Sequence, residues 1–356
     1  MRVRTVRAVV LAAAALLAVG VAQAGAATGA PALRLVGVTP KGTVPGDATI
    51  VLRFSAPLAP VSARSEPKLS PSTPGTWSQP NPTTLSFTPT GGYLPGTTVR
   101  ITVPKGLAAT DGATLGKAAA ATFVVENGST VRLIQLLAEL RFLPVHLTSI
   151  KHQPRPEDTA GQLRAIFQPP AGRLELGTEW PSQLRALWTG EESTVLRGAI
   201  MSFESQHGLA MDGVATAAVW QALLSARAHR QFNTSGYSYA VASENSPESL
   251  TLYHNGHVVL RTPANTGIPG QGTATGTFPV YERLRSQTMQ GTNPDGSHYA
   301  DFVQWVAYFN GGDAVHYMPR AYYGSPQSLG CVELPYDAAE QAWGYLTYGT
   351  LVTVLP

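Results

Sequence analysis

The chain has 356 residues, 44% of them hydrophobic and 13% charged, with a formal net charge of +3. That length and apolar content suffice for two or three packed domains, and 35 glycines with 28 prolines argue for turn-rich β structure and against long helical bundles. Arg2, Arg4 and Arg7 supply the whole excess of charge; without them the chain is formally neutral, which excludes the basic footprint a nucleic-acid partner needs.

Those arginines head an apolar run from Val9 to Val19, and small residues close it. Ala22-Gln23-Ala24 or Ala24-Gly25-Ala26 has the A-x-A form of a cleavage site. Residues 1–26 are therefore expected to be a secretory signal peptide. The run is short for a bilayer span, so the mature chain is expected in the cell wall or extracytoplasmic space with no stable membrane span. In an oxidising compartment cysteines are usually paired or lost. The single cysteine of this chain, Cys331, is thus either a working thiol or a small buried hydrophobe.

Residues 33–126 read as one β-sandwich. Apolar residues alternate at Ile50, Leu52 and Phe54, at Leu85 and Phe87, at Val99, Ile101 and Val103, and at Phe123 and Val125. Such period-2 runs between Pro/Gly/Ser-rich stretches mark short antiparallel strands. The pattern Phe54-Ser55-Ala56-Pro57, Gly75-Thr76-Trp77, Leu85-Ser86-Phe87-Thr88-Pro89 resembles bacterial immunoglobulin-like wall domains, which implies a spacer.

Residues 129–226 switch to helical spacing: Val131, Leu133, Ile134, Leu137 and Leu140, then Leu196, Ile200 and Phe203, then Val219, Leu223 and Leu224. The stretch Phe203-Glu204-Ser205-Gln206-His207-Gly208-Leu209-Ala210-Met211-Asp212-Gly213, followed by Trp220 and Leu223, resembles the small helical peptidoglycan-binding domain. Gly208 is placed as the residue just beyond a helix and Asp212-Gly213 as a turn. Thr216 and Val219 depart from the family pattern, and about fifty residues, Pro144 to Thr194, separate the two helical pieces. A structural module that binds no glycan is the alternative.

Residues 227–236 read as a polar link. Beyond it Leu250–Tyr253 and Val258–Leu260 predict two strands around a turn that leaves His254 and His257 facing solvent. Further strands are predicted at Gly276–Val280, Phe302–Phe309 and Thr350–Val354. Asn293-Pro294-Asp295-Gly296 signals a turn, a solvated loop or part of a lid. A helix is predicted over Asp337–Leu346, with Asp337 as its N-cap and Glu340 three positions on.

His316 and Cys331 carry the candidate chemistry. A free thiol is only a few per cent ionised at neutral pH. A histidine within reach can take its proton, raise the thiolate fraction and later protonate a leaving amine. Gly330 permits a tight turn before the nucleophile, and backbone N–H groups there can face a developing oxyanion.

The segment 236–356 resembles the L,D-transpeptidases of the YkuD type. His316, then Ser328, Gly330, Cys331 and Val332, match the family's histidine and Ser-His-Gly-Cys motif, and Thr275-Gly276-Thr277-Phe278 matches an upstream region in part. The resemblance implies a β-rich catalytic fold with few helices, so that the whole chain is multidomain and mainly β. It implies Cys331 as nucleophile, His316 as base oriented by a backbone carbonyl, the N–H groups of Cys331 and Gly330 as the oxyanion hole, and Ser328 as a residue shaping the turn. It implies peptidoglycan stem peptides and glycan as partners and neither metal nor organic cofactor. Tyr317, Tyr308, Trp305 and Tyr323 are candidate walls of a substrate groove, Trp305 equally a core residue. Leu329 replaces the second histidine of the motif, Glu333 its usual Arg or Asn, and Tyr317 a common Gly or Ser. An L,D-carboxypeptidase that passes the acyl group to water, and a wall-binding protein without activity, remain alternatives. A zinc peptidase would need clustered ligands, whereas the eight histidines are scattered.

Overall fold

The structure, a computed structural model, describes residues 32–62, 64–148, 151–191 and 193–356; the expected signal peptide lies outside the described residues. The first body is a sandwich of eight strands: β1 (Leu35–Thr39), β2 (Thr43–Val44), β3 (Ile50–Phe54), β4 (Lys68–Ser70), β5 (Gly75–Asn81), β6 (Thr84–Pro89), β7 (Thr98–Val103) and β8 (Ala119–Val125). One sheet runs β1-β3-β6-β5 and the other β2-β8-β7-β4. The alternating residues Ile50, Leu52, Phe54, Leu85, Phe87, Val99, Ile101, Val103, Phe123 and Val125 all point into its core, as the pleat of a half-buried strand requires.

The second body holds α1 (Thr130–Glu139), β9 (Val145–Thr148), α2 (Thr159–Phe167), β10 (Arg173–Leu176), α3 (Ser182–Leu187), α4 (Thr194–Gln206) and α5 (Ala217–Ala228). Ser193 caps α4 by accepting from the Leu196 N–H, and Thr216 caps α5 by accepting from Val219 N–H. Gly208 stands two positions past the end of α4, after the cap residue His207, at φ +66, and the Leu209 N–H reaches back to the Glu204 carbonyl at 2.9 Å. That is the left-handed helix ending for which glycine is suited. The stretch between the helical pieces is not a structureless gap. The β9–β10 hairpin, α2 and α3 fill it, and Leu163, Ile166, Trp180 and Leu184 join the core of α1, α4 and α5.

The third body contains β11 (Ser238–Ser243), β12 (Ser249–His254), β13 (His257–Pro263), β14 (Gly276–Pro279), β15 (Glu282–Thr292), β16 (His298–Asn310), β17 (Asp313–Tyr317), β18 (Val332–Leu334), α6 (Tyr336–Tyr345) and β19 (Leu351–Leu355). A five-stranded sheet runs β13-β12-β11-β19-β14, and a four-stranded sheet β15-β16-β17-β18. Ala240, Leu252, Phe309, Val315, Val332 and Val352 belong to one core between the sheets. The chain is thus mainly β with few helices.

Two expectations are corrected. Helix α6 starts at Tyr336 after Pro335, so Asp337 lies within the first turn and makes no side-chain cap; its carboxylate there still faces the positive end of the helix dipole. The polar link read over 227–236 begins inside α5, which runs to Ala228, and its remainder packs against the helical body. Asn233 is buried, its amide bonds to the carbonyls of Arg141 and Gly236, and its N–H bonds to the Leu140 carbonyl.

Candidate active site

Strands β17 and β18 run parallel, pairing Val315 with Val332 and His316 with Glu333. One step back along this register sets Ala314 beside Cys331, the residue just before β18. Side chains of a strand alternate between faces, so His316, Glu333 and Cys331 share one face. A separation of fifteen residues in sequence becomes a diagonal step across two strands.

The turn before Cys331 is built by hydrogen bonds. The Ser328 hydroxyl donates to the Cys331 carbonyl at 2.6 Å and accepts from the Gly330 N–H at 3.2 Å. Thr273 Oγ1 donates to the same carbonyl at 3.4 Å. Gly330 lies at φ +122, and a Cβ there would meet Asp313 Oδ1 at 2.6 Å, so this position excludes a side chain twice over. Ser328 thus takes up the N–H of Gly330, one of the two expected oxyanion donors.

His316 is 3% exposed. Its Nδ1 lies 2.9 Å from the Tyr317 carbonyl. A carbonyl only accepts, so Nδ1 carries the proton and Nε2 is left with its lone pair. Burial lowers the imidazole's affinity for a second proton; the Tyr317 carbonyl and the Glu333 carboxylate oppose that shift, and Arg320 adds to it. The Cys331 thiol packs beside Val303, Val306, Tyr308 and Ala314. Burial pushes it up to about 12, against the Ala314 N–H, while Asp313 and Glu333 push the same way as burial. The resting pair is therefore a neutral thiol and a neutral imidazole. Sequence reasoning expected a raised thiolate fraction, but an apolar corner disfavours the charged form. The thiol donates to the Gly312 carbonyl, Sγ to O 3.7 Å, so the expected thiol–imidazole hydrogen bond requires the side chain to turn.

A groove of about 470 Å³ opens over these residues. Its wall is the long β15–β16 hairpin, whose Gln287, Met289, Tyr299, Asp301 and Val303 face it, with Asn293 and Pro294 of the hairpin turn. Tyr308 also lines it. Trp305, Tyr317 and Tyr323 do not. Trp305, at φ +59, sits at a break in the β16–β17 register. There the set of β16 residues packed on the Cys331 side changes from Val303 to Val306 and Tyr308, as a bulge dictates, and the Trp305 ring packs with Trp343 and Tyr336. Tyr317 packs edge-on against Tyr336, and the Tyr323 hydroxyl donates to the Met318 carbonyl. His257 is exposed, but His254 is half-buried, 3.0 Å from Ser238 Oγ and tilted against Tyr345.

Sequence reasoning did not find Arg320. Its Nε and Nη2 donate to the two oxygens of Glu333 at 2.7 and 2.6 Å, and Nη2 also reaches the Gln327 carbonyl at 3.1 Å. The signal available was the acid at position 333 itself, since a buried carboxylate needs a cation. Among the described residues no group of three or more His, Cys, Asp or Glu is placed to hold a metal ion.

Fold and site together define a β-rich catalytic domain with one thiol and one imidazole on a shared strand face. Residues 238–354 match the model of the L,D-transpeptidase catalytic domain, and residues 29–125 that of the bacterial Ig-like domain. The chain thus carries an L,D-transpeptidase catalytic domain, with a bacterial immunoglobulin-like domain ahead of it. Among solved structures it is similar to an L,D-transpeptidase from Mycobacterium smegmatis, at 14% identity and TM-score 0.32 over 92% of this chain and 100% of that one. L,D-transpeptidase 3 from Mycobacterium tuberculosis shows 14% identity and TM-score 0.32 over 90% of this chain and 98% of that one. The catalytic domain of the E. faecium L,D-transpeptidase shows 26% identity and TM-score 0.31 over 33% of this chain and 96% of that one. No curated protein sequence matches.

Proposed function

We propose that this exported enzyme forms 3→3 cross-links in peptidoglycan with Cys331 as nucleophile and His316 as its base. The observation that carries the reading is the His316 imidazole, held neutral with Nδ1–H on the Tyr317 carbonyl and Nε2 free, on the same strand face as the thiol. With a tetrapeptide stem in the groove, the thiol turns toward Nε2 and gives up its proton as Sγ attacks the carbonyl of the third residue. The Cys331 N–H faces the oxyanion. The carbon–nitrogen bond to the terminal D-alanine breaks, and the proton on Nε2 passes to the departing amine. This leaves a thioester on Cys331. The amine of a neighbouring stem then attacks the thioester carbon and returns a proton through Nε2 to the leaving sulfur. No charge separation is needed before attack, which suits a corner that disfavours both thiolate and imidazolium.

Mass spectrometry of the products formed from a disaccharide-tetrapeptide, with Cys331→Ala in parallel, tests this. A cross-linked dimer lacking one D-alanine, made by the wild type alone, is the expected result. A tripeptide monomer alone would assign water as the acceptor, and identical mixtures from both proteins would remove the catalytic role from Cys331.

A further inference from the structure

Glu333 lies opposite His316 in the β17–β18 register, and both residues are 3% exposed. A carboxylate next to an imidazole favours its imidazolium form. That would remove the free lone pair the proposed reaction needs. Here the carboxylate is already occupied. Arg320, from the loop after β17, grips both oxygens of Glu333 at 2.6 and 2.7 Å. This bidentate fork is the strongest geometry a guanidinium offers a carboxylate.

We propose that Arg320 is a positioning residue of the reaction, which holds the Glu333 carboxylate in a closed ion pair and so offsets the pull of that carboxylate on a second proton at the His316 imidazole. The proposal rests on the reading of His316 as the base. It also accounts for the acid at a position where the motif usually carries Arg or Asn: the cation is supplied from thirteen residues upstream. Other groups act on the imidazole. Asp301 faces it from β16 and favours its protonation, as the Tyr317 carbonyl does from β17. Arg320 is the charged group on the opposing side. Its hydrogen bond to the Gln327 carbonyl fixes the guanidinium to the loop that carries the thiol.

The test is a pH titration of His316 by NMR in histidine-labelled protein, its signal assigned by loss in His316→Asn. The readout needs no peptidoglycan, so failure of the proposed function and failure of this inference are separable. Arg320→Met is expected to move the His316 titration up by about one pH unit, a tenfold change in imidazolium fraction. Glu333→Gln, which leaves the guanidinium unpaired beside the ring, is expected to move it down. Arg320→Met with Glu333→Gln is expected to return it near the wild-type position, and Arg320→Lys to hold it within a few tenths of a unit. The acid limb of thioester formation against pH should move with each titration. If Arg320→Met does not fold, Arg320→Gln, which also removes the cation, is titrated in its place and is expected to move His316 up in the same way. Single variants that shift His316 in the same direction, or leave it unmoved, would overturn the proposal.

Discussion

Because the Cys331 thiol packs against Val303, Val306 and Ala314, ionising it alone means placing a charge in an apolar corner. With the thiol pushed up to about 12, the thiolate fraction is small at neutral pH and rises about tenfold per pH unit well past the ordinary thiol value of about 8.5. Alkylation by iodoacetamide should therefore be slow at pH 7 and still climbing above pH 9; a plateau near pH 8.5 would show a solvated thiol. The peptide reaction should behave differently. Its proton goes to His316, which burial shifts below the ordinary histidine value. The base is lost only as pH falls through that lowered value, so the acid limb of kcat/KM should lie below about pH 6.5. Gly330 supplies the companion test. A Cβ would strain the backbone at φ +122 and press on Asp313, so Gly330→Ala should cost about 1–3 kcal/mol of stability. It should also lower the rate of thioester formation more than Ser328→Ala, which leaves the backbone geometry allowed. Both are read from a melting curve and a single-turnover assay.

In α4, Glu204 is fully buried, and its Oε2 accepts from the Gly213 N–H at 2.9 Å while Oε1 has no partner. Burial, with Asp212 nearby, pushes the carboxyl up to about 7. The folded state thus binds a proton more tightly than the unfolded one. Stability from this group is full below about pH 4.3 and is lost as pH rises toward 7, the reverse of a salt-bridged acid. Glu204→Gln keeps the acceptor and removes the charge, so it should flatten that slope and raise stability at pH 8 by about 1–3 kcal/mol; urea titrations at pH 5 and pH 8 measure it. Elements like α4 were legible because one helical face or one strand face is apolar for several repeats, as with Leu196, Ile200 and Phe203, or Ile50, Leu52 and Phe54. The segment between Pro144 and Thr194 was not. Strands β9 and β10 have four residues each and α3 has six, too few to show a period. At the site, His316 and Cys331 were legible as a lone thiol and a nearby histidine. Arg320 was not, because only the parallel register of β17 and β18 brings position 333 within its reach. Trp305 stayed open between groove and core because a bulge changes which residues face the groove without altering composition.

At the scale of the molecule, the centre of the five-stranded sheet is buried on both sides. Ala240, Ala242, Val352 and Val354 pack into the catalytic core, whereas Tyr239, Val241 and Leu351 belong to the core of the helical body. Strands β11 and β19, the parallel pair at the centre, therefore read as nearly continuous apolar runs, broken in β19 by Thr353, whose hydroxyl hydrogen-bonds with that of the buried Tyr239. The two backbones meet at Gly198 of α4. A Cβ there would come within 2.5 Å of the Gly349 carbonyl and 2.9 Å of the Leu351 side chain. Helix α4 and the turn before β19 approach this closely only because neither carries a side chain at the contact. Two bodies that share a core should unfold together, so calorimetry should show the helical and catalytic segments melting in one transition. Gly198→Val should lower that transition through overpacking of about 1–3 kcal/mol, or about 2–4 °C for each kcal/mol in a body of this size. Cys331 lies on the other sheet, so thioester formation per folded molecule at 15 °C should stay near the wild-type rate. Two separate transitions, with Gly198→Val shifting the helical one alone, would show that the catalytic sheet keeps its fold without the helices against it.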